Sequence, residues 1–249
     1  MKINKETFII SDTHLGHKNI LNHCKSRVLN MKFKKYTDHE KWIRDNWNFM
    51  VKNENTLLHL GDLSFKGNVE VIKGLNGDKY LLKGNHEDLK EIDYLNNGFK
   101  SIDNYYIQIE NFKNDKVFLD KIKELKKLRV FNFVIADVEG FRILFSHFPI
   151  VDTDGYDVRY AEQIAGLKWI FDYCECDYNI HGHTHENLMK DSRCINVSIE
   201  NIRFKPIKLE EIIKSRMKSI HRRRRVFLCK MLQVSVCGLM CPCHCIGKK

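Results

Sequence analysis

Five short apolar runs in this chain each break into a small polar cluster, and that repeated break limits the folds open to it. Thr7-Phe8-Ile9-Ile10 runs into Ser11-Asp12-Thr13-His14, and Thr56 to Leu60 into Gly61-Asp62. Tyr80-Leu81-Leu82 runs into Lys83-Gly84-Asn85-His86, Phe141 to Phe145 into Ser146-His147, and Tyr178-Asn179-Ile180 into His181-Gly182-His183-Thr184-His185. Short apolar runs bounded by turn residues read as buried strands. Between them lie stretches of helical spacing. Thr37 to Glu40 matches a capping box, with Thr37 as N-cap, ahead of Trp42, Ile43, Trp47, Met50 and Val51. A short helix is expected over 68–75 and a longer one over 161–173. Strand, polar loop, helix and strand in repetition argue an α/β class. They also put each cluster just past the carboxyl end of a strand, where α/β proteins build their sites.

The remaining segments fill in this outline. Residues 103–109 and 194–197 read as further strands. Residues 129–136 and 141–145 read as a pair around a Val138-Glu139-Gly140 turn. The Lys/Glu-rich stretch 115–128 carries Leu and Ile at helical spacing and reads as an exposed helix, an insert or a lid. No internal repeat is present.

The clusters supply carboxylate, imidazole and amide oxygen, the groups that bind divalent metals. In Asp12-x-His14 and His183-x-His185, an extended backbone would put both members of each pair on one face. Mixed Asp/His/Asn ligation suits Mn, Fe or Zn better than Ca or Mg. No Cys sits among the clusters, which disfavours a structural zinc knot. A lone Gly-Asp or Ser-His is usually a turn or a hydrogen-bonded core residue. Gly-Asn-His-Glu and Gly-His-Thr-His after apolar runs are far more specific.

The order Asp-x-His, Gly-Asp, Gly-Asn-His-Glu, His, Gly-His-x-His resembles the calcineurin-like metallophosphoesterase superfamily. The opening Ser11-Asp12-Thr13-His14-Leu15-Gly16-His17-Lys18-Asn19-Ile20 is similar to a small bacterial and phage subgroup of predicted phosphoesterases. The resemblance runs from about residue 7 to 210. It implies a four-layer α/β/β/α sandwich of two mixed sheets with the site at the strand ends. It also implies a ligand set: Asp12, His14, Asp62 and His185 on one metal, and Asp62, Asn85, His147 and His183 on the other, with Asp62 shared. His86 would stand beside the site without binding metal. The implied cofactors are two divalent ions, Mn first, with Fe, Zn or Ni as alternatives.

A mechanism follows from such a cage. Two divalent ions held in it would supply a water of lowered pKa and neutralise charge on the phosphoryl oxygens. His86 could then protonate the leaving oxygen or stabilise charge in the transition state. Weaker candidates flank the motifs. His17 could face the substrate or serve as a surface histidine, and Arg159 could meet a phosphate or remain solvated. His59 and His181 precede their motifs on apolar strands and read as packed, hydrogen-bonded residues, and Trp42 and Trp47 as core.

Charge decides what the body can attract. The chain of 249 residues has a formal charge of +10, but after Glu211 there are ten Lys/Arg and no acidic residue. Residues 1–211 hold 32 basic and 32 acidic groups, so bulk charge draws no polyanion to them. Cysteines divide likewise: Cys24, Cys174, Cys176 and Cys194 in the body, and five more from Cys229 onward. The expected organisation is a catalytic domain over 1–215 and a basic, Cys-rich tail over 216–249 outside the fold. Three readings of the tail are open: a membrane-surface anchor with Arg residues on anionic headgroups, metal binding through Cys237 to Cys245, and extraneous sequence. The third is preferred because the resemblance stops before it. The N-terminus shows no secretory pattern, so the expected setting is a reducing cytoplasm with free thiols.

Four functions compete. The first is hydrolysis of a small or nucleotide-like phosphate mono- or diester. The second is a nuclease of the same superfamily, disfavoured by the neutral body. The third is a non-catalytic scaffold, disfavoured because the whole ligand set is present. The fourth is a membrane-tethered protein whose tail carries the role.

Overall fold

A computed structural model of the chain describes residues 1–65, 68–151 and 158–217. The elements are β1 (Phe8–Ile10), α1 (Ile20–His23), α2 (Lys25–Phe33), α3 (His39–Met50), β2 (Thr56–His59), β3 (Asp78–Leu82), α4 (Glu91–Asn96), β4 (Phe99–Ile102) and β5 (Tyr105–Gln108). They continue with α5 (Lys116–Leu125), β6 (Phe133–Val138), β7 (Phe141–Ser146), α6 (Ala161–Tyr173), β8 (Tyr178–His181), β9 (Cys194–Asn196), β10 (Ile207–Lys208) and α7 (Leu209–Ile212). The chain divides into two units, Met1–Glu211 and Ile212–Lys249. Of the second, residues 212–217 are described, and they end in a π-helical turn, Ile213–Met217. The arginine run and the Cys-rich stretch from Cys229 lie outside the described residues.

The strands form two five-stranded sheets, ordered β10-β1-β2-β3-β4 and β5-β6-β7-β8-β9. In the first, β1, β2, β3 and β4 run parallel and β10 pairs antiparallel with β1. In the second, β6 and β7 form an antiparallel pair, while β7, β8 and β9 run parallel. Parallel strands need crossovers and are buried on both faces, so they read as continuous apolar runs. That is the pattern of Phe8-Ile9-Ile10 and Leu57-Leu58, all buried.

Helices cover each sheet. On the first, Trp47 of α3 stacks on His59 of β2 and meets Phe99 of β4 edge-on. On the second, Phe118, Ile122 and Leu125 of α5 and Ile164, Leu167, Ile170 and Phe171 of α6 pack with Phe133, Ile135 and Leu144 in one core. Val134, Ala136 and Phe145 point to the opposite face of that sheet and are also fully buried. With two mixed sheets and helices on both, the architecture is the four-layer α/β/β/α sandwich expected.

Two local expectations change. Residues 115–128 are not an exposed insert or lid. Phe118 is wholly buried, and α5 is a structural cover of the second sheet, its lysines lying on the solvent side. At α3 the cap is Asp38, whose carboxylate accepts from the Lys41 amide at 2.9 Å. Glu40 does not close a capping box with Thr37. Its Oε1 accepts from the Gly16 amide at 3.1 Å, tying α3 to the loop that carries His14.

Candidate metal centre

The parallel runs bring the five clusters to one end of the molecule. Asp12 follows β1, Asp62 follows β2 and Asn85 follows β3, all in one sheet; His147 follows β7, and His183 and His185 follow β8 in the other. The loops between them are braided by main-chain bonds. The amides of Asp12 and His14 donate to Gly61 O and Asp62 O, each at 3.0 Å, and the Gly182 amide donates to His147 O at 3.0 Å. A bridge between Ser11 and Ser198 joins the loop after β1 to the strand end of the other sheet.

The motif backbones are not extended. Asp12, His14, Asp62, His183 and His185 all have left-handed φ, between 46° and 68°. Side chains of each pair therefore converge through alternating left-handed residues, not through the strand geometry expected from sequence. Such conformations cost free energy in non-glycine residues and persist only where surroundings over-determine them. Here the Asp12 carboxylate accepts from the His183 amide at 3.0 Å and from Ser198 Oγ at 2.9 Å. The neighbouring glycines are needed for close approach. A Cβ on Gly182 would collide with Ser11 Oγ and Asp12 Oδ2, and one on Gly84 with Asp62 Oδ1.

Asp62 lies between two histidines. Its Oδ2 is 3.5 Å from His14 Nε2, and its Oδ1 is 3.6 Å from His147 Nε2. His14 stacks on His185 with ring centroids 5.0 Å apart, and His147 meets His183 at 5.1 Å. Asn85 Oδ1 lies 2.9 Å from His147 Nε2. The other six predicted ligands are thus gathered in two groups about Asp62.

These residues fit a divalent cation on their own chemistry. Neither ring nitrogen of buried His14 has a hydrogen-bond partner. His147 Nδ1 lies 2.8 Å from the Leu60 carbonyl and must donate to it. Its Nε2 lies 2.9 Å from Asn85 Oδ1 and 3.6 Å from Asp62 Oδ1, so a ring nitrogen, an amide oxygen and a carboxylate oxygen converge where a cation could be held. Ligand atoms of Asp12, His14 and His185, and those of Asp12, Asp62 and His147, lie within 4.8 Å of one another.

Electrostatics point the same way. Burial and then the Asp12 charge push the Asp62 carboxyl up to about 6. Burial would also raise Asp12, but the charges of His185 and His147 and the Ser11 hydroxyl outweigh it and hold the group at about 2. His14 is held well below its ordinary value by burial and by the His185 charge, which keeps its ring neutral. Burial alone would lower His185. Contacts with Cys24 and Glu200 and the Asp12 charge reverse this and raise it to about 11.

His86 stands beside the cage. Its amide donates to Asp62 Oδ1 at 3.0 Å, and its half-buried ring lies 5.7 Å from that of His14 and 5.3 Å from Phe65. His17 is partly exposed, 5.5 Å from His14 and packed on Phe65 at 4.1 Å. Arg159 is exposed on the turn Val158–Tyr160, over the Tyr160 ring, which in turn lies 5.5 Å from His183. His59 is wholly buried, bonded to the Gly61 amide and to Thr13, and held at about 3 by burial. His181 is also wholly buried and donates to Gly182 O.

Three supporting residues were not among the candidates read from sequence. Glu87 accepts from the Leu63 and Gly84 amides at 2.8 and 2.7 Å and so clamps two ligand loops together. Its place in Gly-Asn-His-Glu was a usable signal. Arg27 and Glu200 reach the site from outside every motif, and nothing local in the sequence marks them.

A 26% identical relative over 222 residues, covering 84% of this chain and 90% of its own length, is an uncharacterized protein, MJ1445, of Methanocaldococcus jannaschii. A solved structure of a protein of unknown function, AQ665 from Aquifex aeolicus, superposes with TM-score 0.57 at 30% identity, covering 84% of this chain and 97% of that one. The sequence model of the calcineurin-like phosphoesterase family matches residues 7–187, a segment that begins at β1, ends just after His185 and contains all seven residues of the cage. With that match laid over this geometry, the chain belongs to the calcineurin-like phosphoesterase family, whose members are metal-dependent phosphoesterases.

Proposed function

We propose that the protein is a dinuclear hydrolase of phosphate mono- or diesters acting on a small or nucleotide-like substrate. Asp12, His14, Asp62 and His185 would hold one ion, and Asp62, Asn85, His147 and His183 the other. The observation that carries this reading is that the two oxygens of Asp62 face different histidines on opposite sides. The donor set suits Mn first, with Fe, Zn or Ni also compatible. Bound there, two divalent ions would supply an activated water and charge neutralisation at the phosphoryl oxygens.

The chain's own residues do the rest. Asp12 is fixed by the His183 amide and Ser198. His86 is anchored through its own amide to Asp62. Its ring, 5.7 Å from that of His14, stands beside the cage where it can deliver a proton to the leaving oxygen. The formally neutral body favours a small ester over a long polyanion. Four buried thiols, Cys24, Cys174, Cys176 and Cys194, support a reducing cytoplasm as the setting. Among the described residues no helix is long and apolar enough to cross a membrane.

A hydrolysis panel of aryl mono- and diesters, cyclic nucleotides and short oligonucleotides with Mn²⁺ tests the reading. Small esters should be cleaved, with little dependence on salt, and Asp62→Asn should abolish both turnover and most metal uptake. A wild-type protein that binds metal yet cleaves none of them would instead be a scaffold.

A further inference from the structure

Arg27 and Glu200 lie outside the cage but converge on it. Arg27 projects from α2, and Glu200 from a turn, Ile199–Ile202, beyond the segment that matches the family. Their side chains are 0% and 2% exposed. A single carboxylate oxygen, Glu200 Oε1, accepts from Arg27 Nε at 2.7 Å and Nη2 at 2.6 Å, and lies 3.1 Å from His185 Nδ1. The same guanidinium donates through Nη2 to Asp12 O at 2.6 Å and through Nη1 to Thr13 O at 3.0 Å. Nη1 is also 3.2 Å from His39 Nε2, which accepts because burial holds that ring neutral.

One cation thus ties the loop bearing Asp12 and His14 to the carboxylate that contacts His185. Both loops carry left-handed residues that need outside support. Cys24 Sγ lies 3.7 Å from the same His185 nitrogen. Cys24, His185 and Glu200 offer ligand atoms within 4.8 Å of one another.

We propose that Glu200 and Arg27 are positioning residues of the metal centre. Glu200 accepts from His185 Nδ1–H and so leaves Nε2 as the ring nitrogen that would ligate a metal together with Asp12 and His14. Arg27 fixes that carboxylate and the Asp12–Thr13 backbone in one register. A ligating histidine is commonly oriented in this way by a carboxylate on its other nitrogen. The inference rests on the metal-centre reading above, and it assigns to one buried pair the geometry of a single side of that centre.

The test is zinc binding by calorimetry on full-length wild type, Glu200→Gln and Glu200→Ala, with thermal melts to establish folding. Zinc affinity on the Asp12–His14–His185 side should fall about 10–100-fold in Glu200→Ala, as for other losses of a ligand's supporting partner. Glu200→Gln keeps an acceptor of the same shape and should recover part of that loss. Imidazole ¹⁵N NMR of zinc-loaded wild type should show His185 protonated at Nδ1, and only the His185 signals should move in Glu200→Gln. If Glu200→Ala does not fold, the NMR and Glu200→Gln decide alone. Unchanged zinc affinity in folded variants, or His185 unprotonated at Nδ1, overturns the assignment. Wild type that takes up no zinc at all would instead remove the metal-centre reading on which it rests.

Discussion

At the scale of single residues, Asp62 and His86 have separable duties. Asp62 divides its two oxygens between His14 and His147, while His86 touches Asp62 only through its own amide, leaving its ring beside the cage. His86→Ala should therefore lower kcat by about 10²–10⁴, the usual worth of a proton donor, and leave metal content intact. Elemental analysis checks the second half, and metal loss in that variant would make His86 a ligand or its support. The polar clusters were legible because each interrupts an apolar run, and the resemblance of their order singled out the seven cage residues. Their left-handed backbones were not legible, since φ at Asp12 or His185 is set by bonds to loops far away in sequence. Arg27 and Glu200 were invisible for the same reason. An isolated Arg on an amphipathic stretch reads as solvated, and its partner lies 173 residues on.

At the scale of elements, α5 shows how composition can mislead. Its many lysines and glutamates suggest exposure, yet Phe118, Ile122 and Leu125 form a stripe at helical spacing that is buried on the second sheet. A lid would betray itself in substrate affinity. A structural cover would not. Phe118→Ala should cost about 3–5 kcal/mol of stability, as large-to-small changes of a fully buried aromatic do, while KM stays near wild type. Denaturant melts and steady-state kinetics on the same preparation separate the two. In α3, Glu40 was assigned to a capping box from its spacing to Thr37. Asp38 takes the cap, and Glu40 reaches Gly16 in the loop after His14. Local spacing identifies a helix start to within a residue, but which partner a long side chain takes depends on what tertiary packing brings within reach.

At the scale of the whole molecule, the two sheets deliver their strand ends to one place, and the site is shared between them. Asp12, Asp62 and Asn85 come from the first, and His147, His183 and His185 from the second. A cation held there should bind the native state and not the unfolded chain. Chelation of the metal-loaded protein should lower Tm by roughly 5–10 °C, taking about 2.7 kcal/mol for an ion at a hundred times its Kd and 2–4 °C per kcal/mol for a domain of this size. Re-addition of Mn²⁺ should restore the Tm, whereas a Tm unmoved by chelator would argue against a site that spans the sheets. The sequence by itself determined the α/β class and the five polar clusters, because strand ends and metal-binding side chains are local properties of residue type and period, while the choice of seven ligands within those clusters came from the resemblance of the motif order. Only the tertiary structure decided that Asp62 faces both groups, that α5 covers a sheet, and that Arg27 and Glu200 brace His185. Those are contacts between residues far apart in the chain, and hydrophobic periodicity carries no information about which distant polar groups will meet.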